Sequence, residues 1–157
     1  MRIKLSPGQH HDAGIDLAEL HVGRMGTGIA YDGKFVVASN ATISVFDRSL
    51  DGEPQTVHFA PGEYVSNSFA IDDRNGIYIA SNKIMHKLIW TGSKLSEDPA
   101  DGAWTSAYDP GDQPPTVKIG NGTGSTPTLM GFGAGEDKLV VITAVTRRGP
   151  GHHDANL

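Results

Sequence analysis

Cysteine is absent from the 157 residues, which excludes a disulfide framework, thiol catalysis and cysteine-based zinc sites. No apolar run approaches the roughly 18 residues that a membrane-spanning helix needs, so no membrane partner is expected. Behind the charges of Met1-Arg2-Ile3-Lys4 there is no apolar stretch either, and the sequence predicts no signal peptide. A basic excess is also lacking. Lys+Arg 13 stand against Asp+Glu 18, a formal net charge of -5, which argues against nucleic acid as a partner. Helical periodicity is nearly missing. Only His10 to His21, with Ile15, Leu17, Ala18 and Leu20 between Gly14 and Gly23, reads as one or two weak turns.

What the chain has instead is turn chemistry, with Gly 20 and Pro 9. From Gly28 onward, apolar runs of four to six residues alternate with Gly, Asn, Asp and Pro clusters. This is the pattern of short β-strands joined by tight turns. The runs repeat. Gly28-Ile29-Ala30-Tyr31-Asp32, then Gly33-Lys34-Phe35-Val36-Val37-Ala38-Ser39-Asn40, lines up with Ser68-Phe69-Ala70-Ile71-Asp72 and, after a longer turn, Gly76-Ile77-Tyr78-Ile79-Ala80-Ser81-Asn82. Ala38-Ser39-Asn40 and Ala80-Ser81-Asn82 lie 42 positions apart. A third, looser copy runs Thr128-Leu129-Met130-Gly131 to Lys138-Leu139-Val140-Val141-Ile142-Thr143, where Lys138 to Val141 matches Lys34 to Val37.

Each copy continues into a further strand, Thr42 to Asp47 in the first and Lys83 to Trp90 in the second. Thr56 to Phe59 and Thr116 to Ile119 are the candidate fourth strands. Thr91 to Gln113 is expected to be a loop with one aromatic strand near Trp104 and Tyr108. A four-stranded unit of about 40 to 45 residues is the blade of a β-propeller. The expected fold is therefore all-β: a partial propeller of about three four-stranded antiparallel blades, with an irregular or weakly helical N-terminus. The divisions are an N-terminal arm over 1–27, one domain of repeated blades over 28–143 and a divergent tail over 144–157. Rings typically close with about 4 to 8 blades, so three predict exposed apolar end faces and self-association through them. The Gly/Pro-broken tail after Thr143 points further, to a chain truncated from a larger ring.

Val65-Ser66-Asn67-Ser68-Phe69-Ala70-Ile71-Asp72, Gly76-Ile77-Tyr78-Ile79 and Gly124-Ser125-Thr126-Pro127-Thr128-Leu129-Met130-Gly131 resemble a group of uncharacterised bacterial β-propeller proteins. That group is similar in general form to NHL-repeat, quinoprotein-like and gluconolactonase-type propellers. The likeness runs from about Gly28 to Thr143, and in that group the strand matching Val140 to Thr143 continues into an Asp where Ala144 stands here. The resemblance implies export of the full-length relatives, although the compartment of this chain is not fixed by its residues. It also implies a calcium ligand at Asn67, because gluconolactonase-type propellers place an Asn before an inner strand to hold a central calcium. Asn40, Asn82, Asp32 and Asp72 offer further oxygens of the kind calcium takes. Turn capping accounts for all five residues without any metal.

The remaining motifs carry less. Gly120-Asn121-Gly122-Thr123-Gly124-Ser125-Thr126-Pro127 lacks the Lys-Ser/Thr pair and following helix of a phosphate loop, and reads as an inter-blade connection. His10-His11-Asp12-Ala13 and His152-His153-Asp154-Ala155 are near-identical tetrads that would bind metal only if the ends met. His58 and His86 sit in apolar strands and are expected to be hydrogen-bonded there. The pairs Asp72-Asp73 and Glu136-Asp137 are explained by turns, and no Gly-x-Ser-x-Gly is present. The leading expectation is a non-enzymatic binding scaffold for a small molecule or protein. The competing one is a calcium-dependent, lactonase-like hydrolase or a quinoprotein-like oxidoreductase, working at a ring's centre.

Overall fold

Val, Ile, Phe and Tyr, whose branched or flat side chains suit a pleated surface, dominate the runs between turns. They form strands. The computed structural model describes residues 26–109, 125–131 and 138–143, and these build three antiparallel sheets in chain order. The first contains β1 (Gly26–Ile29), β2 (Phe35–Ala38), β3 (Thr42–Phe46) and β4 (Gln55–His58), each paired with the next. The second contains β5 (Ala70–Ile71), β6 (Gly76–Ala80), β7 (Ile84–Trp90), β8 (Leu95–Ser96) and β9 (Trp104–Ala107). The third pairs β10 (Thr128–Met130) with β11 (Leu139–Val141). None of the three closes on itself.

The sheets stack in order. Side chains alternate along β6: Ile77 and Ile79 join Val36, Ala38, Ile43, Val45 and Val57 of the first sheet in one core. Tyr78 and Ala80, with Met85, form a second cluster that Leu129, Val140 and Ile142 cover. All five residues of β6 are therefore buried, and the middle sheet is covered on both faces. Such a strand reads as a continuous apolar run.

The 42-residue repeat is real in three dimensions. The amide of Ala30 donates to the carbonyl of Lys34 at 2.9 Å, and that of Asp72 to Gly76 at 2.9 Å. One turn later Ser39 donates to Thr42 at 2.8 Å, and Ser81 to Ile84 at 2.9 Å. The left-handed position of the first turn is Gly33 (φ 89), and its counterpart is Asn75 (φ 61), the side chain that best tolerates that conformation after glycine.

Three expectations change. The second copy has no longer turn: Ile29 pairs with Phe35 and Ile71 with Ile77 across connections of equal length. Asp72 is thus the counterpart of Ala30, not of Asp32. The third copy is out of phase with its apparent match, because Val36 faces the following sheet whereas Val140 faces the preceding one. A one-residue slip exchanges the two faces of a strand. Finally, the outer edge of the second sheet is made by β8 and β9, which share β7 end to end. Thr116 to Ile119 lies outside the described residues, as do the weak helix at His10 to His21 and the tail from 144. The aromatic strand near Trp104 is β9, and the first strand starts at Gly26 rather than Gly28.

The first sheet approaches the second most closely along β1. A Cβ on Gly26 would stand 2.2 Å from Ser68 Oγ, and one on Gly28 would stand 3.0 Å from the Phe69 ring. Gly26 must therefore be bare, while a side chain at Gly28 would need the Phe69 ring to give way by a few tenths of an ångström. Gly26→Val is expected to lower stability by about 1–3 kcal/mol through overpacking. Ile79→Ala should cost about 2–5 kcal/mol through the cavity it leaves, while Ile29→Ala on the exposed edge should stay within about 0.5 kcal/mol. Urea denaturation of the three variants measures the order.

Candidate functional site

Backbone that is buried between sheets must find hydrogen-bond partners, and the segment joining β4 to β5 shows how this chain supplies them. Its anchors are the two Ser-Asn turns. Ser39 Oγ accepts from the amides of Ala41 and Thr42 at 3.2 and 3.0 Å. Ser81 Oγ does the same for Lys83 and Ile84 at 3.2 and 3.0 Å. With the turns so fixed, Asn40 accepts the Val65 amide on its carbonyl at 2.8 Å. Asn82 donates its own amide to Tyr64 at 2.8 Å. The Asn82 side chain accepts from the Tyr64 amide at 3.0 Å and donates to the Gly62 carbonyl at 3.3 Å. Asn40 Oδ1 is buried with no partner among the described residues.

Beside this clamp lies a buried pair. His86 Nε2 meets Glu63 Oε1, both residues being more than nine-tenths buried, and the Phe59 ring lies against the imidazole at 5.1 Å between centroids. Burial opposes ionisation of Glu63. Hydrogen bonds from Ser81 and His86, the His86 charge and the Ala60 backbone outweigh it, so its carboxyl sits below the ordinary value. His86 is hydrogen-bonded, as its place in an apolar strand implies.

At the other end of the sheets the turns bind each other. Asp72 Oδ1 accepts from the amides of Arg74 and Gly76 at 2.9 and 2.8 Å, and Oδ2 accepts from the Tyr78 hydroxyl at 2.9 Å. Burial, then the Asp72 carboxylate, pushes the Tyr78 hydroxyl well above its ordinary value, so it remains a donor. A Cβ on Gly76 would stand 2.7 Å from Asp72 Oδ2. Between sheets, the Tyr31 amide donates to Asn75 Oδ1 at 2.9 Å. Trp90 Nε1 donates to Asp32 Oδ2 at 2.5 Å, and Lys34, which pairs with Asp47 at 2.5 Å, lies 5.8 Å from the Trp90 ring.

These positions decide what the five calcium candidates can do. Asp32 and Asp72 stand in the β1–β2 and β5–β6 turns, and Asn40 and Asn82 in the β2–β3 and β6–β7 turns. A strand of four or five residues, about 15 Å at the usual rise, separates the two groups. Asn67 precedes β5 at the Asn82 end and donates to Ser66 Oγ at 3.4 Å. The five do not converge, so they do not fit one calcium centre. Among the described residues, no group of three or more His, Asp or Glu could hold a metal, and no helix is long and apolar enough to cross a membrane. The two His tetrads, Glu136-Asp137 and most of the Gly120–Ser125 run lie outside the described residues.

A cleft opens where the first strands of the first two sheets meet. It has a volume of about 510 Å³ and is lined by Thr27, Gly28, Ile29, Ala30, Tyr31, Phe69 and Ile71. Ile29 is 63% exposed and Tyr31 69%. In the sequence, Ile29 and Tyr31 read only as strand residues, and nothing local marks them as open beside a tightly packed glycine.

Ionised Glu63 has a folded-state value below its unfolded one, so its contribution to stability is complete above about pH 4.3 and is lost as pH falls through the folded value. Melting temperature followed through that acid range should drop steeply in the native chain and more gently in Glu63→Gln, which starts lower at neutral pH. Asn82→Ala, which strands the Tyr64 amide, should cost about 1–3 kcal/mol, read by chemical denaturation at neutral pH.

No family model matches the chain. A curated relative from Archaeoglobus fulgidus, described as an uncharacterized protein, is 34% identical over 125 residues, covering 76% of this chain and 23% of its own length. The chain thus spans less than a quarter of that relative.

Proposed function

We propose that the chain is a run of successive β-propeller blades that works as a binding scaffold, recognising a ligand at the cleft between first strands. The observation that supports this most directly is the 42-residue step with the same turn hydrogen bonds in both copies, joined to face-to-face stacking of each sheet on the next. A blade in a ring is such a unit: a four-stranded meander covered by a neighbour on either side. The greater length of the archaeal relative accords with further units in related chains.

The chemistry of the cleft favours recognition over reaction. Its side chains are apolar apart from the hydroxyls of Thr27 and Tyr31, while polar atoms make up about half of its exposed lining. The acidic groups of the adjoining turns are occupied elsewhere, Asp72 with Tyr78 and Asp32 with Trp90. A rim of Tyr, Phe and Ile around a small open space suits an aromatic or aliphatic group presented by a small molecule or peptide.

Two measurements test the reading. A structure of the longer archaeal relative is expected to show a closed ring in which the matched residues are consecutive blades with first strands toward the axis; an open stack would overturn the propeller. Titration of this chain with small aromatic fragments, followed by amide chemical shifts, is expected to move Thr27 to Tyr31 and Phe69. Tyr31→Ala should weaken such binding about tenfold, the loss of an anchor worth about 1.4 kcal/mol. Shifts confined to other surfaces would remove the cleft from consideration.

A further inference from the structure

One edge of β1 pairs with β2, and among the described residues no strand takes the other. The phase of the pairing decides which main-chain groups are left over. Ala30 directs its amide at the Lys34 carbonyl at 2.9 Å, and Gly28 and Gly26 stand in step with it, opposite Val36 and Ala38. Successive residues of a strand point their amide and carbonyl to opposite edges, so those of Thr27 and Ile29 point away from β2. No described residue takes them. Natural proteins guard such edges with Lys or Pro, and Gly26-Thr27-Gly28-Ile29 has neither.

The cleft runs along this edge. Residues 27–31 line it without a break, about 17 Å of extended chain. Phe69 and Ile71 form the opposite wall and reach it past Gly28, whose added Cβ would stand 3.0 Å from the Phe69 ring and 3.4 Å from Ile71 Cδ1. Ile29 projects from the other face of the strand and is 63% exposed, with Tyr31 beyond it at 69%. The polar part of the lining can come only from main-chain groups and the hydroxyls of Thr27 and Tyr31.

We infer that the cleft binds an extended, uncharged segment of another protein as a strand added to the free edge of β1. This rests on the cleft being the recognition site and names its ligand. Complementarity of charge carries the choice. Two outward amides and two outward carbonyls, repeating at about 6.8 Å, match the main chain of an extended peptide group for group, which a lone aromatic ring cannot do. In strand addition the main chain supplies affinity and side-chain pockets supply selection. A residue opposite Gly28 puts its side chain on the glycine face, against Phe69 and Ile71, and is therefore apolar or aromatic. Its neighbours fall beside Thr27 and Ile29, where β-branched residues suit. No charged side chain lines the cleft to meet a terminal amine or carboxylate, so the occupant is interior chain. The contact needs only the edge of the first sheet; Val37 and Phe46, on its outward side, are already buried.

An array of hexapeptides capped at both ends, with Thr alternating with Val, Leu, Phe or Tyr, probes the full chain. Members are expected to bind, to shift the amide signals of Thr27 to Tyr31 and Phe69, and to slow hydrogen exchange at Thr27 and Ile29. N-methylation of alternate peptide amides keeps every side chain. Of the two possible sets, the one facing β1 should weaken binding about tenfold or more, and the other should leave it unchanged. Thr27→Pro removes one outward amide, a change that an edge strand tolerates, and should weaken binding about tenfold where Thr27→Ala does not. If Thr27→Pro fails to fold, the N-methylated peptides test the same bonds on the native chain. Aromatic fragments that shift the cleft while no peptide does, or both N-methylated sets binding as well as their parent, would overturn the added strand and leave recognition of small groups standing. A cleft silent to fragments and peptides alike would remove both. A native chain that is dimeric by gel filtration, with Thr27→Pro monomeric, would overturn the inference by giving the edge to a second copy.

Discussion

The backbone between β4 and β5 leaves one sheet, passes between two turns and enters the next, and every polar group it buries there needs a partner. The two Ser-Asn turns meet that need from both sides. Asn40 takes the Val65 amide, while Asn82 takes the Tyr64 amide and gives a donor to Gly62. The serine of each turn holds the asparagine in place by accepting two amides of its own loop. Without these bonds the apolar faces could still attract one another, but at this end of the sheets nothing would fix the height at which the first meets the second. The Tyr31–Asn75 and Asp32–Trp90 bonds fix it at the other end. Hydrophobic contact is non-directional; the turns give it a direction.

Two buried acid–donor pairs extend the same logic. Glu63 and His86 tie the crossover to β7, and Asp72 and Tyr78 tie the β5–β6 turn to β6. A buried carboxylate is tolerable only when hydrogen bonds replace its water, and each of these has several. Glu63, His86 and Asp72 thus serve the scaffold, while Ile29 and Tyr31 stand open at the first strand.

Much of the architecture was readable from the residues. The strand runs, the 42-residue step and the buried character of Val37 and Ile79 all follow from composition, turn residues and local repetition. What was not readable has physical causes. Phe35-Val36-Val37-Ala38 and Leu139-Val140-Val141 are apolar at every position, so no alternation reveals which residue faces which way, and a match by residue type sets the third copy one residue out of phase. The likeness of Ile71-Asp72 to Tyr31-Asp32 hid the equal turn lengths, because an Asp serves several positions of a turn equally well. The partners of His86 and Trp90 lie 23 and 58 positions away in Glu63 and Asp32, and no local pattern announces pairs made by stacking. The same non-locality dispersed the five calcium candidates to opposite ends of the sheets.

The 42-residue step from the first sheet to the second has a consequence for how such chains change in length. Among the described residues, each of these two units is bonded within itself and to its neighbour. Insertion of one further 42-residue unit, cut at equivalent points of the crossover, would present the same serine, the same asparagine and the same faces on either side. Gene duplication could therefore lengthen the array without inventing a new contact, whereas an insertion of any other size inside a unit would put its two turns out of step.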